Sequence, residues 1–242
     1  MSHSQTTQDN TPQHHHHHHV IHHGHAHGHH HDSVAQANKE YFDDLDADFD
    51  KIPHVKDRAV RVVQAILKAY PLDKENTTAM DFACGRVSLE MVPYVKSILG
   101  VDISERMVAR FNENLSGTNA SATCIELKGE EGELSGAKFD IIFCSSAYHH
   151  FASVDGVTRI LASFLNPGGA LIIADMIHKE EGYEFMANVG HAVPHKHGLS
   201  KTDIQRAFDG AGLSLKSFED IPEPTDYNDV QLFLAVGEKT SS

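Results

Sequence analysis

Between residues 78 and 175 the chain alternates short β-rich runs with helical periods, and this alternation limits its possible folds more than any other feature of the sequence. Strands are expected at 78–83, 97–102, 122–127, 139–145 and 170–175, where apolar and β-branched residues cluster between turn residues. Helices are expected between them at about 88–95, 104–115 and 154–165. Met107, Val108, Phe111 and Leu115 share one face of the second, and Val157, Ile160, Leu161, Phe164 and Leu165 share one face of the third. Asn166-Pro167-Gly168-Gly169 supplies the stop. Crossovers of this length return the chain in the same direction, so the expected architecture is α/β, a doubly wound, mostly parallel sheet covered on both faces. An acidic helix at 38–50 carrying Tyr41, Phe42 and Phe49, and an amphipathic helix at 55–70, precede it. After it, Ser200-x-x-Asp203 has the form of a capping box, and Gly210 and Gly212 close the helix that it opens. Runs at 213–218 and 230–237 then form an antiparallel hairpin.

Composition narrows the partners. The 242 residues hold 40% hydrophobic side chains, enough for one sizeable core. With 34 acids against 20 bases, the net charge of −14 leaves no basic surplus for nucleic acid or an anionic membrane. Three cysteines without paired spacing, the lack of an apolar run of spanning length and an amino terminus unlike a secretory signal lead to the expectation of a cytoplasmic protein with no membrane span. Fourteen of the 21 histidines fall between His3 and His31 among Ser, Gln, Thr and Gly. Residues 1–31 therefore read as a disordered His-rich tail or tag, able in principle to take zinc, nickel or copper, and residues 32–242 as the folded domain.

Ligands of open parallel sheets bind at the carboxyl ends of the strands. The first strand ends in Asp81-Phe82-Ala83-Cys84-Gly85, whose small residues allow close approach to the backbone ahead of a helix amino terminus. The second ends in Asp102, 17 residues after Gly85, where a carboxylate can accept both ribose hydroxyls. The pair points to a nucleoside-containing cofactor. A nicotinamide site would want G-x-G-x-x-G for the pyrophosphate, but residues 81–90 contain only Gly85. Asp81 at the head of the motif instead suits a ligand bearing an ammonium and a carboxylate, as in the methionine half of S-adenosyl-L-methionine.

Four motifs in order, DFACG at 81–85, GVDIS at 100–104, FDIIFCSSAYHHF at 139–151 and LNPGGALIIAD at 165–175, make residues 35–237 similar to the class I S-adenosylmethionine-dependent methyltransferases of small-molecule, ubiquinone/menaquinone-methyltransferase-like type. The resemblance implies a Rossmann-like, seven-stranded sheet with its last strand inserted antiparallel. It further implies that Asp81, Ala83, Cys84 and Gly85 cradle the methionine moiety, that Asp102 holds ribose, and that Ile103 and Met107 flank adenine. Glu130 would approach the adenine amino group and Ser145 the sulfonium. The chain departs from the family at Gly85-Arg86-Val87, where a second glycine is usual. A β-branched Val87 disfavours positive φ beside the ligand, which leaves open a catalytically impaired partner or regulator with the same fold.

Methyl transfer is an in-line displacement that, for a hydroxyl or thiol acceptor, also needs a base. Tyr148-His149-His150 follows the fourth strand at the rim. His149 and His150 are the candidate bases and Tyr148 a substrate contact, the alternative being that a histidine packs under the sheet edge. The long connection 176–199 carries His178, His191, His195 and His197 with Tyr183, Phe185 and Met186, as a lid over an apolar substrate would. His191 and His195 are candidate substrate contacts, a structural role being the alternative and a metal set with His197 the less favoured one, and Cys84 and Cys144 are expected to be buried structural thiols. The resulting expectation is methyl transfer to a small molecule, with the O, S, N or C acceptor atom and the oligomeric state left open. No Asn/Asp-Pro-Pro-Tyr/Phe segment for flipped bases follows the fourth strand, where SSAYHH stands.

Overall fold

The computed structural model describes residues 28–44, 53–178, 193–223 and 231–241. Seven strands form one sheet in the order β3-β2-β1-β4-β5-β7-β6. They are β1 (Thr78–Phe82), β2 (Ser97–Asp102), β3 (Ala120–Cys124), β4 (Phe139–Ser145), β5 (Leu165–Met176), β6 (Leu213–Ile221) and β7 (Leu232–Lys239). The first five are parallel, and β7 enters between β5 and β6 antiparallel to both. The doubly wound sheet and its inserted last strand are thus as expected, including the 213–237 hairpin. Burial follows position. β4, β5 and β7 in the middle are apolar and mostly buried, whereas β3 and β6 at the edges expose several residues each.

Side chains of period two divide the core between the two faces of the sheet. Ile141 and Phe143 of β4 point to a layer built from α2 (Pro53–Ala69), α3 (Val87–Met91) and α4 (Glu105–Asn114). Ile142 and Cys144 point to a second layer with α5 (Val154–Ser163) and α6 (Lys201–Gly210). Ala59, Val62, Val63 and Ile66 recur at helical spacing and bury the inner face of α2. At the amino edge, Asp140 ties three strands: Oδ2 accepts the amide and hydroxyl of Thr78 at 2.8 Å each, and Oδ1 accepts Asn166 Nδ2 at 2.8 Å.

Three expectations are corrected. Residues 28–31, expected as tail, belong to α1 (Gly28–Asp44), which starts ten residues before the anticipated helix and ends at Asp44; residues 1–27 and Phe49 lie outside the described residues. The third strand occupies Ala120–Cys124 rather than 122–127, because it pairs with Ile98–Asp102 on its only bonded side and its apolar pattern is weak. The α5 helix stops at Ser163, before Asn166-Pro167-Gly168-Gly169, which is taken up as a bulge within β5, the register passing from Phe139↔Leu165 to Ile141↔Ala170.

Candidate functional site

The carboxyl ends of β1, β2, β4 and β5 converge on one edge. After β1 the chain leaves the sheet through Ala83, whose φ of 58° is left-handed, and the Ala83 amide donates to Val101 O at 2.8 Å, fastening the loop to β2. A Cβ built on Gly85 would meet nothing within 4 Å, so the backbone here is open to a ligand. Asp81 faces inward, 1% exposed, with the Ser88 hydroxyl donating to Oδ2 at 2.7 Å. Burial pushes its pKa well above the usual carboxylate range, against the pull of Ser88 and the Gly85 amide. Asp81 thereby braces the loop against α3.

Asp102 ends β2, and the Ser104 amide donates to its Oδ1 at 2.8 Å. Burial raises its pKa to about 6, with amide hydrogen bonds from Ser104 and Ile103 opposing and the nearby Asp43 adding to the rise. Ser104 caps α4 by accepting Met107 N at 3.1 Å and donates its hydroxyl to Asp43 of α1 at 2.6 Å. Arg106 also reaches the Asp43 carbonyl at 2.9 Å, so α1 is fastened across the start of α4. Beside this corner a recess is lined by Cys84, Gly85, Leu89, Met107, Arg110 and Phe111. The anticipated strain at Val87 is absent: Val87 is the first residue of α3, buried in the core, and the left-handed position falls at Ala83. Arg86 pairs with Glu90 one turn on, at 3.4 Å.

After β4, half-buried Ser145 is followed by Ser146 in left-handed conformation (φ 54°) and by a single 3-10 turn at Tyr148–His150. This turn holds the expected acceptor-side residues in quite different settings. Tyr148 is wholly buried with its hydroxyl 3.3 Å from Thr158 Oγ1, so it packs beneath the edge and does not open onto it. His149 Nδ1 lies 2.7 Å from Asp175 Oδ1, and both side chains are at most 3% exposed. The Asp175 carboxylate also takes the amides of Met176 (2.6 Å) and His149 (3.4 Å). Burial alone would raise the Asp175 pKa, but the charge and hydrogen bond of His149 outweigh it and hold it below the usual value. His150 packs edge-on against Phe42 of α1, with ring centroids 5.4 Å apart, and its carbonyl accepts Asn38 Nδ2 at 3.0 Å.

The His195 amide donates to the His149 carbonyl at 3.1 Å, bringing the 176–199 connection back onto the turn. His191, with Tyr183, Phe185 and Met186, lies outside the described residues. Among the described residues no three His, Cys, Asp or Glu side chains gather as a metal site would require. Glu130 is exposed in a loop whose amides at Lys128, Gly129 and Glu130 all donate to Glu133 at 2.8–3.1 Å. Cys84 and Cys144 are buried and their thiols pushed well up in pKa, unsuited to nucleophilic work. Sequence reasoning gave no role to Asp175, Asp43 or Asn38. Asp175 ended a quoted motif, and its position one strand over from His149 was the available signal.

Residues 80–173 match the family model of the methyltransferase domain. An uncharacterized methyltransferase of Schizosaccharomyces pombe is 33% identical in an alignment of 157 positions that covers 58% of this chain and 55% of that protein; the chain thus spans about half the length of the curated relative it matches. Among solved structures, geranyl diphosphate C-methyltransferase from Streptomyces coelicolor superposes with a TM-score of 0.65 at 9% identity, covering 86% of this chain and 98% of the other. The N-methyltransferase NodS of Bradyrhizobium japonicum, with S-adenosyl-l-homocysteine, gives 0.62 at 14% identity over 85% and 98%. The [4+2]-cyclase SpnF gives 0.59 at 16% identity over 76% and 81%. The strand order and the solved structures together show that the chain has the class I methyltransferase fold, within which residues 80–173 match the methyltransferase domain model.

Proposed function

We propose that this protein binds S-adenosyl-L-methionine and transfers its methyl group to a small-molecule acceptor. The observation that carries the reading is the pairing of Asp102 with the open backbone at Gly85 on the carboxyl edge of β1 and β2. A nucleoside ligand fits this pair, since a carboxylate at a strand end takes two ribose hydroxyls and an uncrowded loop admits the rest of the molecule. In this reading residues 83–85 pass the methionine portion, Ile103 and Met107 flank adenine, Glu130 approaches its amino group, and Ser145 stands near the sulfur. When bound, the cofactor supplies an electrophilic methyl group. The acceptor lies on the β4–β5 side, among His149, His150 and His195.

A small acceptor is supported by the acidic balance of the chain and by the company the fold keeps: a geranyl diphosphate C-methyltransferase and an N-methyltransferase. No described helix is long and apolar enough to cross a membrane. Calorimetry with S-adenosylmethionine and S-adenosylhomocysteine tests the cofactor. Asp102→Ala is expected to weaken binding on the order of 10- to 100-fold through loss of charge-assisted hydrogen bonds. Absence of binding to the native protein would remove the reading. A screen of phenols, thiols and amines with labelled methyl donor then identifies the acceptor class.

A further inference from the structure

The buried His149–Asp175 pair is not demanded by the sheet. Two ionisable side chains removed from water cost free energy that a matched apolar pair would not, and such pairs gather where chemistry needs them. Here the pair stands at the carboxyl ends of the adjacent strands β4 and β5, joined through Ser145↔Ala174, on the edge where the acceptor is placed above. The carboxylate is immobilised by its own strand through the Met176 amide and by the turn through the His149 amide. An ionised carboxylate can only accept, so the ring nitrogen facing it, Nδ1, carries a hydrogen and Nε2 is left with its lone pair.

We propose that Asp175 is a positioning residue that fixes His149 in the Nδ1–H tautomer, so that Nε2 removes the proton of a hydroxyl acceptor, phenolic or enolic, as that oxygen takes the methyl group. This inference rests on the methyltransferase reading and narrows it to oxygen. The oxygen's lone pair forms the new bond to the methyl carbon, the carbon–sulfur bond breaks with its pair returning to sulfur, and the proton resides on Nε2 as an imidazolium held by Asp175. Amines attack in their neutral form and thiols ionise unaided near neutral pH, whereas a phenol close to its ordinary pKa of about 10 needs a base. His149 Nδ1 meets the Asp175 carboxylate at 2.7 Å while the His150 ring packs on Phe42, and it is this 2.7 Å contact that marks His149 as the base.

Among the described residues, the His150 ring lies 4.2 Å from that of His149 at a tilt of 39°, the His195 backbone bonds the His149 carbonyl, and the Tyr148 phenol and Cys144 thiol stay neutral because burial raises both.

The test compares the native protein with Asp175→Asn and His149→Gln on a series of phenols of graded acidity, alongside cofactor calorimetry and thermal unfolding. For weakly acidic phenols Asp175→Asn should lower kcat on the order of 100-fold with the acceptor KM little changed. For phenols acidic enough to be ionised in the assay the loss should vanish. The acid limb of the kcat/KM profile should move to lower pH, because removing a carboxylate makes the imidazole a weaker base. His149→Gln retains an amide donor toward Asp175 and should fold, and the double variant should be no slower than the slower single one. Equal loss for acidic and weakly acidic phenols, or loss that follows a fall in thermal stability, would show a purely structural pair. Methylation of amines or thiols alone would overturn the proposal while leaving the methyltransferase reading intact. Failure of the native protein to bind cofactor would instead strike that reading itself.

Discussion

In the proposed cofactor site, Asp102 makes opposite demands on the empty and the liganded protein. Its pKa stands at about 6, above the ordinary 3.8, so between those values the folded chain holds a proton that the unfolded chain has released. The stability this adds is complete below about pH 4 and is lost as pH rises through about 6. Ribose hydroxyls need the ionised acceptor, so cofactor affinity should climb over the same interval. Denaturant unfolding at pH 4.5 and 7, native against Asp102→Asn, should show the native protein losing stability relative to the variant as pH rises without cofactor; an opposite slope would contradict the raised pKa. Gly237 offers a packing test: a Cβ there would lie 2.6 Å from the buried Phe208 ring, so Gly237→Ala should cost about 1–3 kcal/mol in urea unfolding. The sequence already marked Gly85 and Asp102, because a strand end followed by a small residue or an acid has a local signature. Asp175 carried no such sign, since its role depends on His149 being 26 residues away across two strands. Val87 misled for a related reason: the left-handed residue fell four positions earlier, at Ala83, which sequence gives no cause to choose.

Helix ends and hairpins were legible where their chemistry is local. The capping box at Ser200 is present in full, with the Asp203 amide donating to Ser200 Oγ at 3.2 Å and the Ser200 amide to Asp203 Oδ2 at 3.1 Å. Ser200→Ala should therefore cost about 1 kcal/mol, measured as a shift in the urea midpoint at constant slope. The α1 helix was misplaced because its polar sequence has no strong apolar stripe; what holds it is a set of distant partners, His150 for Asn38 and Ser104 for Asp43. Asp43→Ala should loosen α1 without melting the sheet. Hydrogen exchange would register this as faster exchange over residues 33–44 alone, and unchanged α1 protection would mean that Asn38 and Phe42 suffice. Because α1 touches both Ser104, beside Asp102, and the turn bearing His150, its docking links the two halves of the proposed site.

The seven-stranded order follows from alternation for its first five strands, since βαβ crossovers leave little choice of hand or direction. The position of β7 does not follow from pattern alone: a terminal hairpin could close on either edge, and the resemblance to the methyltransferases supplied the insertion. In the structure β7 bonds β5 along Ala170–Met176 and β6 along Leu213–Ile221, and its first six residues are buried. Among the described residues no other strand bridges β5 to β6. The ribosome delivers residues 232–239 after every other strand, so a growing chain holds the bare edge of β5, one of its most apolar strands, unpaired until those residues clear the exit tunnel. That exposed edge is open to mispairing over that interval, and a stop codon before residue 232 should give an aggregating product rather than a smaller folded domain, as pelleting of a cell-free translation would reveal.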